Sequence, residues 1–147
     1  MKAKTLFLTD LLLLIVFVPS SSTGFTLHWA GHQNNHELWH NWAVAHIIST
    51  LLLTILVAIH IYAHWGWYKS LFKNGIKNQS RVTILLSALM LIVAITGIVV
   101  LFRHQGANTE LGLWHYILGI VTTAVVLGHY IKRHRILIKG LNAIRKK

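Results

Sequence analysis

The chain has 147 residues, a formal net charge of +11, 54% hydrophobic residues and only 12% charged ones. That composition excludes an ordinary soluble domain, and the basic excess has no folded soluble platform on which to bind nucleic acid. With no cysteine there is no disulfide, no covalent haem attachment through C-x-x-C-H and no cysteine-ligated iron–sulfur cluster, so any metal centre depends on histidine or another non-thiol ligand.

The apolar residues gather in four blocks, each about the twenty residues that a bilayer core about 30 Å thick requires. The first span covers residues 6–27. Its basic start and small residues imitate a signal peptide, but it has no clear A-x-A cleavage site, and it is read as a retained helix whose outer end Pro19 bends or loosens. A histidine-rich outer loop, 28–42, leads to the second span, 43–65. The third span, 82–102, and the fourth, 111–131, carry no formal charge inside.

The basic residues set the orientation. Lys2 and Lys4 precede span one, Lys69, Lys73, Lys77 and Arg81 lie between spans two and three, and Lys132, Arg133, Arg135, Lys139, Arg145, Lys146 and Lys147 follow span four. The other two loops hold only Arg103. The expected fold is an all-α, four-helix membrane bundle with both termini cytoplasmic. Much of the net charge then serves topology and contact with anionic lipid.

Two histidine pairs stand out within the spans: His46 with His60, and His115 with His129. Each pair is fourteen residues apart, which returns to within about 40° of the same helix face after a rise of roughly 21 Å. Spans two and four run in the same direction, so His46 pairs with His115 near the outer face and His60 with His129 near the inner face. Imidazoles at two depths on two helices are the ligands that two stacked bis-histidine haems require. Spans one and three supply the other walls. Gly97 offers a close helix contact, while Gly119 and Gly128 leave room beside His115 and His129 for a flat macrocycle or for ordinary helix packing. The fourteen-residue interval is also the only clean element of a weak internal repeat.

In these residues the chain resembles the b-type cytochrome core of bacterial respiratory membrane proteins. More narrowly, it looks like small four-helix cytochromes associated with flavinylated extracellular electron-transfer systems. The resemblance runs over residues 30–135 and rests on His46 to His60 with His64-Trp65-Gly66-Trp67, and on Trp114-His115-Tyr116-Ile117-Leu118-Gly119 through His129. It implies a di-haem subunit carrying two haem b, passing electrons between a quinone pool and a periplasmic or peripheral cytochrome or flavoprotein within a hetero-oligomeric complex.

Seven further histidines exceed the needs of two haems. His28, His32, His36 and His40 recur every four residues in the outer loop, where a helix would align them as a stripe, and His104 stands at the outer end of span three. They could hold a third haem or a metal, meet haem propionates, line a quinone pocket or form a partner surface. His64, His134 and Arg103 are further candidates for propionate contact. Trp29, Trp39 and Trp42 outside, and Trp65, Trp67 and Tyr68 inside, suit an aromatic belt. Of the three acidic residues, Glu37 and Glu110 are expected outside; Asp10 either reaches the headgroups or, if buried, takes a proton or hydrogen-bond role. The competing readings are a histidine-rich metal transporter, which would need a polar path through spans one and three, and a scaffold subunit, which leaves four matched imidazoles without a task.

Overall fold

The computed structural model describes residues 3–33, 35–76, 80–103 and 109–145, with the side chains of 3, 4, 136, 137, 139 and 141–145 excepted. His104 and the basic residues Lys2, Lys77, Lys146 and Lys147 lie outside the described residues, as do the side chains of Lys4, Lys139 and Arg145. The chain forms α1 (Ala3–Ala30), α2 (His36–Ala63), α3 (Trp65–Asn74), α4 (Arg81–Phe102) and α5 (Glu110–Arg145). No strand occurs among the described residues.

Four of these helices are long and apolar enough to cross a membrane: the segments Thr5–Ala30, His36–Ala63, Arg81–Phe102 and Glu110–Arg135. They are apolar around most of their circumference, as helices immersed in lipid must be, because only intrahelical bonds can satisfy the backbone there. Ile15, Ile48, Leu91 and Ile131 are among many large apolar side chains left exposed. Leu13, Leu53, Leu89 and Val126 are buried, accompanied by the small polar Thr9, Ser20 and Thr122. This is a bundle that associates with lipid, with a thin protein interior.

Sequence chemistry at the helix ends explains the boundaries. Asn35 caps α2 by accepting from the Leu38 N–H at 2.9 Å, and Ser80 caps α4 by accepting from Thr83 at 3.4 Å. Before α5, the Thr109 hydroxyl accepts from the Gly112 N–H at 3.1 Å. Each satisfies a donor that the first helical turn leaves unpaired. The short α3 is amphipathic, and its Tyr68 hydroxyl lies 3.0 Å from Ser87 Oγ, tying it to α4.

Packing joins α1 to α2, α4 to α5, and the two pairs to each other through α1 and α5. The histidine-bearing α2 and α5 share no extended packed interface and lie across the bundle from one another. At one end Gly140 of α5 passes beneath the Phe7 ring of α1 so closely that a Cβ there would overlap it.

Three expectations change. Pro19 does not end or interrupt α1, whose helix continues to Ala30; the Ser22 and Thr23 hydroxyls donate back to the carbonyls of Val18 and Pro19 at 2.8 Å each. The outer loop is shorter than residues 28–42, since α1 and α2 extend into it from both sides and leave only 31–35 as the connection. The last helix runs on beyond residue 131 to Arg145, because nothing in its basic continuation breaks helical geometry.

Candidate functional site

His46 of α2 and His115 of α5 meet across the bundle with ring centres 6.3 Å apart and planes inclined by 67°. A metal bound by one nitrogen of each ring, at about 2 Å per bond, holds the ring centres about 6 Å apart. The inclination is compatible with such an axis, since each imidazole can rotate about its own metal bond.

Each ring is seated by the same pair of residues on the preceding helix. His46 Nδ1 lies 3.2 Å from Thr23 Oγ1, and its ring edge lies 3.0 Å from where a Cβ on Gly24 would stand. His115 Nδ1 lies 3.0 Å from Thr96 Oγ1, and its edge lies 2.9 Å from a Cβ built on Gly97. The expected close contact at Gly97 is thus a contact with a histidine ring. Thr23-Gly24 and Thr96-Gly97 are the only Thr-Gly dipeptides in the chain. They show that the α1–α2 and α4–α5 hairpins share a seating device as well as a histidine interval.

The Thr23 hydroxyl is placed to donate to the Pro19 carbonyl at 2.8 Å and the Thr96 hydroxyl to the Ile92 carbonyl at 3.0 Å. With the protons so used, each oxygen accepts from an Nδ1–H, and that tautomer is the one that leaves the Nε2 lone pair for a metal. Ser49 adds a hydroxyl 3.2 Å from Thr23 Oγ1 while donating to the His46 carbonyl at 3.0 Å.

The second layer is built differently. Asp10 of α1 places Oδ1 2.8 Å from His60 Nδ1 and 3.9 Å from His64 Nε2. The His60 and His64 rings stand 4.5 Å apart, and the three residues can bring donor atoms within 4.8 Å of one another. Among the described residues they are the only three histidine or acidic groups so gathered. Tyr130 donates from its hydroxyl to the Asp10 backbone carbonyl at 3.5 Å, bringing α5 to the same level. His129 is half-buried beside it and lies in the electrostatic field of His60, Asp10 and Arg133. The ring contact of His60 is with His64, while that of His129 is with Tyr130 at 6.2 Å. His64, where α2 turns into α3, has a pKa below the ordinary histidine value, chiefly because burial disfavours its charged form; His60 and Arg133 push the same way and Asp10 opposes them.

The remaining histidines separate. His28 stacks on Tyr116 with ring centres 3.7 Å apart and meets His32 edge-on at 5.0 Å, at the end of α1. His36 stacks on Trp39 at 5.8 Å and lies 6.4 Å from His40, both histidines exposed on the first turns of α2. The expected single stripe is broken by the turn at 31–35, and no three of these described residues form a metal-ligating group. His134 is exposed and its Nδ1 lies 2.7 Å from the Ile131 carbonyl; Arg103 is exposed at the end of α4.

At the outer level the residues fit a flat iron cofactor in four respects: co-directional α2 and α5 standing apart, a metal-compatible separation of the His46 and His115 rings, a hydroxyl at each Nδ1, and open helix surface nearby; at the inner level His60 and His129 each meet another ring instead. A Cβ built at Gly119 or Gly128 meets nothing within 4 Å. The sequence reading missed Thr23, Gly24, Thr96 and the role of Asp10 toward His60. The repeated Thr-Gly dipeptide was the available signal for the first three. No family model, curated protein or solved structure matches the chain.

Proposed function

We propose that this protein is a membrane b-type cytochrome subunit that carries electrons across the bilayer through two bis-histidine haems. His46 and His115 would ligate one haem, and His60 and His129 the other. The observation that carries this reading is the 6.3 Å ring separation of His46 and His115 together with a hydroxyl on each Nδ1. A haem held this way supplies a one-electron iron couple with both axial positions taken, which suits electron transfer and leaves no vacant position for oxygen chemistry. The chain's own work is to orient the rings: Thr23 and Thr96 set a hydroxyl against Nδ1 of the outer pair, Asp10 lies 2.8 Å from His60 Nδ1, and Gly24 and Gly97 let the rings lie against neighbouring backbone.

Lys69, Lys73, Arg81, Lys132, Arg133 and Arg135 cluster toward the His60 end, which favours a reading with that end cytoplasmic and the His46 end outside by the positive-inside rule. The resemblance to bacterial respiratory cytochromes makes a bacterial or archaeal inner membrane part of the same proposal. A quinone pool and a periplasmic cytochrome or flavoprotein are the partners this reading requires, in a hetero-oligomeric complex. The grouping of Asp10, His60 and His64 favours a second reading, a site for a divalent metal ion, although α1 and α4 offer no continuous polar path for transport. A reduced-minus-oxidised visible spectrum of the purified chain separates the two. Low-spin b-type haem bands that are unchanged by carbon monoxide support the cytochrome; a protein with bound divalent metal and no haem bands overturns it.

A further inference from the structure

The two layers differ in what their histidines lean on. His46 and His115 each meet a neutral threonine hydroxyl, whereas His60 meets the carboxyl group of Asp10 at 2.8 Å. Asp10 Oδ1 and His60 Nδ1 are buried atoms without a well-formed hydrogen bond, and they face each other as a close polar contact. Asp10 itself is held from the far side, since Tyr130 reaches its backbone carbonyl from α5.

We infer that Asp10 is a positioning residue that makes the His60 layer the lower-potential member of the pair, an assignment that rests on the di-haem reading. A carboxylate this close to the ring adds negative charge near the metal, which favours the oxidised, more positive iron. A hydroxyl adds none. Lys132 and Arg133 oppose Asp10 at this end and act on the His129 side of the layer; both are exposed, where solvent and salt screen them, while Asp10 lies in contact with His60. The sequence shows only one acidic residue inside any of the four spans' apolar cores, and the structure sets it against a proposed ligand. The Asp10 end is thereby the reducing end of the pair, and the threonine-seated end accepts.

Redox titration of the purified full chain, followed at the haem bands, tests this. The wild type is expected to titrate in two waves, and Asp10→Asn is expected to move the lower wave toward the upper one while leaving the upper in place. His115→Ala, which retains only the Asp10 layer, gives an independent reading: its single wave coincides with the lower wave of the wild type. Both waves unmoved in Asp10→Asn, or a His115→Ala protein that titrates with the upper wave, overturns the inference and leaves the di-haem reading standing. If Asp10→Asn does not retain its second haem, the His115→Ala wave alone decides. A wild-type chain without two b-type haems overturns the reading itself, and the Asp10 assignment with it.

Discussion

The threonine hydroxyls are placed to select which ring nitrogen each outer histidine offers. With their protons directed to the preceding turn, the Thr23 and Thr96 oxygens accept from Nδ1–H, the tautomer with Nε2 free on both rings. Replacing either by valine preserves shape but removes the acceptor. An interhelical hydrogen bond in a membrane protein is worth about 0.6 kcal/mol on average, so Thr23→Val and Thr96→Val should fold nearly as well as the wild type. Loss of a partner behind a metal-bound histidine costs about 10- to 100-fold in affinity, so each variant should lose haem to apomyoglobin at least about tenfold faster from the outer layer. Equal rates for variant and wild type would remove the threonines from the account. The fourteen-residue histidine interval was legible in sequence because helical periodicity is a strictly local property. The seating residues were not, since they lie on a different helix and depend on how hairpins close.

At the scale of elements, the four spans could be read from composition alone, because lipid admits few alternatives to a long apolar helix. Their ends could not. Pro19 and the string Ser20 to Gly24 look like a loosened terminus, yet α1 is continuous to Ala30, with the Ser22 and Thr23 hydroxyls bonded back to the preceding turn. The same continuity brings Thr23 and Gly24 level with His46. Contact between α1 and α5 is a second element-scale feature, since it joins the two hairpins and sets the distance between α2 and α5. Gly140 lies directly against the Phe7 ring there. Gly140→Leu should push that crossing apart, at a cost of about 1–3 kcal/mol for an overpacked contact. A lower thermal midpoint in detergent is the expected outcome, and Phe7→Ala in the same chain should restore much of it. No recovery in the double variant would show that this crossing does not hold the hairpins together.

Across the whole molecule, two helical hairpins with the same Thr-Gly and histidine device meet so that α2 and α5 run in one direction. That arrangement puts His46 beside His115 and brings Asp10, His60, His64 and Tyr130 to a common level. Had the ligand helices been antiparallel, His46 would have faced His129. The meeting of His46 with His115 was legible in the sequence through the direction that the basic loops impose on each span. The use of Asp10 was not, since a lone acidic residue near a span's end is equally suited to headgroups. The central claim is two layers, each closed by one histidine from α2 and one from α5. Counting pyridine haemochrome against protein in the purified chain tests it most directly. The account predicts two haem b per wild-type chain, one in His46→Ala and one in His60→Ala; a wild-type count below two, or single variants that keep both haems, would contradict it.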